Sequence, residues 1–287
     1  MRRIQPPLMA TPLQRRIARV WWRAVSTVLP RPGRINEASA MYIISAFPRS
    51  GSSLVAQMLD KAGITFGPER AMRDNSDFNP EGFFENLDFY SIIDRLFREA
   101  GWKKNYGAMR DDIRAQGLWR KFTRMFTRRR LRNFVIKYAA AYPKWAVKIS
   151  PLGLSFLKGS VGSKVKLIGV YRDPYSATYS GMKINRNGEL YETMLRHWTE
   201  SNRELLFQLF AYDGILIRYE DLIDPASQDR VLAKLAEHLE CGDAALFKQA
   251  IKPKLNRSGA QIERLRSLYP LDSETRSVLE ALERAKS

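Results

Sequence analysis

Cysteine is nearly absent from this 287-residue chain, with Cys241 standing alone. No intrachain disulfide framework and no thiolate metal site can therefore be built, and a reducing cytoplasm suits such a chain. Histidine is almost as scarce: His197 and His238, far apart in sequence, do not argue for zinc. No apolar run is long enough to span a bilayer or to serve as a secretory core, because arginines interrupt each one near the N-terminus. The nucleotide-loop pattern G-x-x-x-x-G-K-[ST] is missing, which weighs against a magnesium-nucleotide site. There is no internal repeat, long low-complexity tract or interdomain linker, and no basic-region, finger or RNA-binding motif. Nucleic acid is accordingly not the expected partner.

What the chain has in surplus is positive charge. Lys and Arg number 48 against 30 Asp and Glu, a formal net charge of +18, while 45% of residues are apolar, as in a globular protein. The length suits one sizeable α/β core, or a core plus an appendage. The surplus implies an anionic partner: nucleic acid, an acidic membrane face, or a ligand bearing phosphate or sulfate. A basic surface that serves only solubility gives the same count.

The boundary falls after residue 36. In residues 1–36, Leu13, Ile17, Val20, Trp21, Ala24, Val28 and Leu29 recur at helical spacing with Arg15, Arg16, Arg19 and Arg23 between them, ended by Pro30 and Pro32. Such a basic amphipathic arm suits an anionic membrane surface, or equally a packing face on the chain's own core. Residues 37–287 read as a single α/β domain.

The stretch from Met41 to Leu59 organises that domain. A buried strand (Tyr42 to Phe47) runs into Pro48-Arg49-Ser50-Gly51-Ser52-Ser53 and then into a helix starting near Ser53. A turn at that junction faces the first-turn N–H groups and the positive end of the helix dipole, a natural place for a phosphate. Arg49 adds a full charge, the serines add hydroxyl donors, and Gly51 lets the backbone approach an anion. An ordinary serine-capped corner has the same pattern.

Further along, Gly63 to Phe84 is rich in turn residues and leads to Glu85, behind two aromatics whose partly apolar wall would suit it to act as a base. Glu85 equally suits the acidic first turn of a helix over Asn86 to Ala100. The cation-dense segment from Lys103 to Arg132 reads as a solvated helix face that could also meet an acidic acceptor. Trp145 to Ile149 is a short strand delivering Lys148 to the turn at Ser150-Pro151. Lys164 to Tyr171 is the clearest strand, running into Arg172-Asp173-Pro174 with Asp173 as N-cap of a helix carrying Ser176 and Ser180. Then come a helix over Tyr191 to Phe210, in which His197 and Trp198 are packing residues, a further strand from Gly214 to Leu222, and helices at Pro225 to Leu239, at Ala244 to Ile251 and from Ser273. A basic loop runs from Lys252 to Gly259.

Taken together, the Phe47 to Ser53 turn, Arg172 with Ser180 eight residues beyond it, and Tyr219-Glu220-Asp221-Leu222 resemble the sulfotransferases that use 3′-phosphoadenosine 5′-phosphosulfate. Asn79-Pro80-Glu81-Gly82-Phe83-Phe84-Glu85 is similar to a segment of bacterial members, and Lys148 to a lysine of the bacterial and tyrosyl-protein branches. The resemblance covers about Met41 to Gly259. It implies a P-loop-like fold with a central, mainly parallel sheet flanked by helices. It also implies that Arg49, Ser50, Gly51, Ser52 and Ser53 hold the 5′-phosphosulfate, that Arg172 and Ser180 hold the 3′-phosphate, and that Arg257 and Ser258 close over it. Lys148 would assist the leaving phosphate, and Glu85, or else Glu69, would serve as base. No metal is required, and 3′,5′-bisphosphoadenosine is the product. Arginine stands at Arg49 where the cytosolic branch has lysine, and Ser150-Pro151 stands where Asp-Pro is expected.

The acceptor hydroxyl or amine is not legible, though a lipid or a cell-envelope saccharide fits a basic arm peripheral to the inner membrane face. Two rivals stand beside this reading. A nucleotide kinase with a degenerate phosphate loop would bind magnesium-ATP. A non-catalytic basic module for nucleic acid or membrane would bind with steep salt dependence and no preference for a 3′-phosphate.

Overall fold

Four strands form one sheet in the order β2-β1-β3-β4, every pairing parallel. The computed structural model describes residues 36, 38–74, 82–101, 118–161, 165–183, 191–241, 243–251 and 259–286. The N-terminal arm, Lys103, Arg257 and Ser258 lie outside them. Ile35–Ser287 forms one compact unit.

Strand β1 (Ala40–Ala46) leads into helix α1 (Ser52–Lys61). After a loop come α2 (Leu87–Glu99), α3 (Leu118–Ala141) and β2 (Lys144–Ile149). Strand β3 (Val165–Tyr171) leads into α4 (Pro174–Met182), followed by α5 (Tyr191–Leu209) and β4 (Asp213–Arg218). The chain ends with α6 (Pro225–His238), α7 (Gly259–Leu268) and α8 (Ser273–Ala285).

Strands β1 to β3 read as nearly unbroken apolar runs because both faces are covered. Alternate residues divide between two cores. Met41 and Ile43 of β1, Trp145 and Val147 of β2 and Leu167 of β3 pack against α2, α3, α5 and α8. Tyr42, Ile44, Ala146, Ile168 and Val170 pack on the opposite face against α1 and α6.

The chain leaves β1 toward β2 on one side, while β3 and β4 lie on the other. The order therefore reverses between β1 and β3, and in an open parallel sheet the crevice beyond the carboxyl ends at such a point is where ligands bind. Arg49 follows β1, and Arg172 follows β3.

Several elements depart from the sequence-based expectation. The strand from Gly214 stops at Arg218, and Tyr219–Ile223 is a single helical turn with Glu220 and Asp221 at its positive end. The cation-dense segment carries a 24-residue helix, α3. Its apolar stripe, Leu131, Phe134, Val135 and Tyr138, has helical spacing and is buried among α2 and β2. The helix placed at Ala244 to Ile251 is one turn, Ala245–Lys248. Helix α7 had no counterpart in the expectation.

Candidate active site

The β1 corner is a tight turn held in an uncommon conformation. Arg49 and Gly51 both lie in the left-handed region, at φ 68° and 94°. Gly51 is the N-cap of α1 and offers no side-chain cap. Its backbone sits so close to Tyr219 that a Cβ there would come within 2.2 Å of the ring, so only glycine fits by both conformation and space. The Ser50 side chain is wholly buried, and its Oγ has no hydrogen-bond partner among the described residues. A buried hydroxyl without a partner is costly unless a ligand or water completes it.

The β3 corner lies against it. Arg172 Nη1 donates to the Arg49 carbonyl at 3.3 Å, and Arg49 Nε donates to Ser180 Oγ at 3.3 Å. Helix α4 thus folds back beside the β1 turn, the condition under which Arg172 and Ser180 can face one anion. The Arg172 guanidinium lies 4.6 Å from the Tyr219 ring centroid. Its main chain is fixed on both sides: Trp198 Nε1 donates to the Arg172 carbonyl at 3.1 Å, and the Asp173 amide donates to Glu220 at 3.1 Å. Asp173 caps α4 through the Ser176 amide and receives Arg266 of α7 at 2.8 Å.

Two guanidiniums are thereby held together, and only Arg172 has a carboxylate near, Glu220 at 4.0 Å. Among the described residues no carboxylate comes within ion-pair distance of Arg49, which is half-buried. Burial first, and Arg172 second, hold the Arg49 guanidinium below its ordinary pKa, with Tyr219 opposing them.

On the other side of the turn, Lys148 reaches in from the end of β2. Its Nζ donates to Ser53 Oγ at 3.1 Å and to the Phe83 carbonyl at 2.6 Å, and lies 4.0 Å from Glu85. Phe84, in the left-handed region at φ 52°, lies between Phe83 and Glu85. Burial pushes the Lys148 ammonium down to about 8; Glu85 opposes this, and Arg49 and Arg73 add to it. Among the described residues, two of the three non-glycine residues at positive φ, Arg49 and Phe84, thus border one site, and strained conformations gather at functional sites.

Glu85 is held by a short antiparallel bridge, Met72 with Asn86, and by the Arg73 amide donating to its carbonyl at 2.9 Å. The Arg73 guanidinium donates to the Glu85 carboxylate at 2.7 Å and stacks on Phe83 at 4.3 Å. Two cations therefore face Glu85 where the flanking aromatics had suggested an apolar wall. A cavity of about 520 Å³ opens between these groups, lined by Arg49, Ser52, Ser53, Arg73, Glu85 and Lys148 among others.

Of the residues singled out in the sequence, Arg49, Ser50, Gly51, Ser52, Ser53, Arg172, Ser180, Lys148 and Glu85 come together. Glu69 does not: it sits in a short 3-10 turn, exposed to solvent, and is not part of the cavity wall. Arg73 and Tyr219 were not assigned roles from the sequence. Arg73 is twelve residues from its partner Glu85 and lies in a turn-rich segment that carries no local signal of pairing. Among the described residues no three His, Cys, Asp or Glu side chains cluster in a way that would hold a metal ion, and no helix is long and apolar enough to cross a membrane.

No family model and no curated protein matches the chain. Among solved structures it is similar to the sulfotransferase domain of the Synechococcus PCC 7002 olefin synthase. Identity is 18%, over 89% of this chain and 97% of that one, with a TM-score of 0.47. At that identity no residue role passes from that domain to this chain.

Proposed function

We propose that the chain is a sulfotransferase that moves a sulfuryl group from 3′-phosphoadenosine 5′-phosphosulfate to a hydroxyl or amine of an acceptor. One observation carries this reading. Two cationic corners of the sheet, Arg49 and Arg172, meet at the strand-order reversal, with Ser180 against Arg49 and, among the described residues, no carboxylate to neutralise Arg49. A ligand with phosphate groups at both ends of one nucleoside matches such a pair.

For a hydroxyl acceptor, the transfer forms a bond from the acceptor oxygen to sulfur and breaks the bond from sulfur to the bridging oxygen. The electron pair of the broken bond stays on the 5′-phosphate, and the acceptor proton goes to a base. Such in-line transfers call mainly for positioning and for cations where charge builds. Arg49, the first turn of α1 and Lys148 supply those donors on the 5′ side. Arg172 and Ser180 hold the 3′-phosphate, which sets this donor apart from ordinary adenine nucleotides. Glu85, beside Lys148 and on the cavity wall, is placed to take the proton. Its Arg73 partner keeps the carboxylate turned toward Lys148.

Calorimetry with 3′,5′-bisphosphoadenosine against ADP tests the reading. Tight binding of the first and weak binding of the second, with no requirement for magnesium, is the expected result. Equal affinity for both, or binding that needs magnesium, would return the site to an ordinary nucleotide enzyme. Glu85→Gln should remove turnover while retaining bisphosphate binding, whereas Glu69→Gln should leave both intact.

A further inference from the structure

Beside the charged cavity lies a second of about 470 Å³, between α2 and the turn that follows β2. The two share five wall residues, Arg73, Tyr90, Lys148, Ile149 and Ser150, so the second opens from the end where Lys148 and Glu85 stand. Its own wall is mostly carbon: Leu87, Phe89, Ile93 and Phe97 of α2 face Leu152 across it. The charged residues on α2 that border it, Asp94 and Arg98, pair with each other at 2.9 Å. Leu87 is 49% exposed, among the most exposed large apolar side chains of the described residues, and it stands at the first turn of α2.

Resting on the sulfotransferase reading, we infer that this second cavity takes the acceptor, and that the acceptor is an alcohol carried on an apolar body such as an alkyl chain. The hydroxyl sits at the shared wall, within reach of Glu85 and Lys148, and the hydrocarbon lies against α2. The volume is that of a small-molecule site. A saccharide, with hydroxyls on every side, would lose water against walls that are mostly carbon and whose Asp94 and Arg98 are paired with each other. An alkyl alcohol has one polar group to satisfy, and the shared wall with Lys148 supplies partners for it. Burying its chain also covers the exposed part of Leu87.

Transfer of labelled sulfate from the donor to octan-1-ol and to maltose, run beside calorimetry with 3′,5′-bisphosphoadenosine, tests this. The expected result is a kcat/KM for octan-1-ol at least a hundredfold above that for maltose. Leu87→Lys, at a half-exposed position where folding is not at stake, should raise KM for octan-1-ol about tenfold, the scale of losing one or two methylene contacts, without changing bisphosphate affinity. Leu152→Glu, from the facing wall, should act in the same direction. Bisphosphate binding with transfer to maltose preferred, with transfer to neither, or with KM for octan-1-ol unmoved by both variants overturns this inference and leaves the donor assignment standing. Absence of bisphosphate binding overturns the sulfotransferase reading itself.

Discussion

The two strand-to-helix corners have the same topology and opposite finish. At the β3 corner the main chain is satisfied internally: Asp173 caps α4, Glu220 receives the Asp173 amide, Trp198 holds the Arg172 carbonyl, and Tyr219 supports the guanidinium, although Arg172 Nε is itself buried without a hydrogen-bond partner among the described residues. At the β1 corner α1 has a glycine cap with no side-chain bond, Arg49 is in a left-handed conformation, and Ser50 Oγ is buried without a partner. One corner is built to hold a cation still. The other commits fewer of its polar groups within the described residues. On the sulfotransferase reading proposed above, that difference would divide recognising a ligand from reacting with it, because a group that must follow changing charge cannot be committed to permanent partners.

The sharpest break of the comparison removes the uncommitted cation. Arg49→Ala should lower kcat on the order of a thousandfold, with thermal stability held, since among the described residues the side chain's hydrogen bond is to Ser180 alone. Turnover at the normal rate in this variant would remove the β1 corner from the chemistry. Next comes Gly51→Ala, which combines a left-handed residue with a methyl driven into the Tyr219 ring. Its cost should be about 2–3 kcal/mol in denaturant unfolding. A neutral result would mean that the corner rearranges freely. Arg172→Ala should leave kcat nearly intact at saturating donor and raise Kd for 3′,5′-bisphosphoadenosine about thirtyfold, ~2 kcal/mol for a charge-assisted contact, while leaving ADP binding unchanged.

How much of this was legible in the sequence follows from what is local. The β1 and β3 strands are apolar runs bounded by turn residues, and a cation directly after a strand in a parallel sheet falls at the ligand edge whatever the details. Arg49, Arg172 and Lys148 could thus be picked out before any coordinates, and so could Ser180 on the helix after Arg172. Contacts made across the fold could not. Arg73 pairs with Glu85 through a bridge formed by neighbours fourteen residues apart, Met72 with Asn86. Tyr219, just after β4, meets Gly51, in the turn after β1, across the end of the intervening strand β3, and no pattern near either residue encodes that. The same limit explains Glu85, whose flanking aromatics suggested apolar surroundings when two cations face it. Glu69, in a segment of turns, had no local mark of its exposure.

Lys148 adds a pH dependence that the arginine corners lack. Its ammonium is held near pKa about 8 by burial, so the charged form that attracts an anion predominates below that value and is lost as pH rises through it. Affinity for 3′,5′-bisphosphoadenosine should therefore be highest on the acid side of about 8 and fall by at most about tenfold per pH unit above it, one proton being linked to binding. Lys148→Arg keeps the charge at all these pH values and should flatten the profile. A fall that persists in Lys148→Arg would assign the titration to another group.

The finest test concerns how the β3 corner keeps Arg172 in place. Trp198 is fully buried, and its indole N–H donates to the Arg172 carbonyl. Trp198→Phe retains most of the aromatic body in the core and deletes that one bond, a loss of about 1 kcal/mol. If the fixed main chain is what aims the guanidinium, bisphosphate affinity should fall about threefold to fivefold, with ADP binding and kcat unmoved. The effect should vanish in an Arg172→Ala background, where there is no guanidinium left to misplace. An equal loss in both backgrounds would instead report general loosening of the core beneath α5, and the contrast between a clamped corner and an open one would then rest on Asp173, Glu220 and Tyr219 alone.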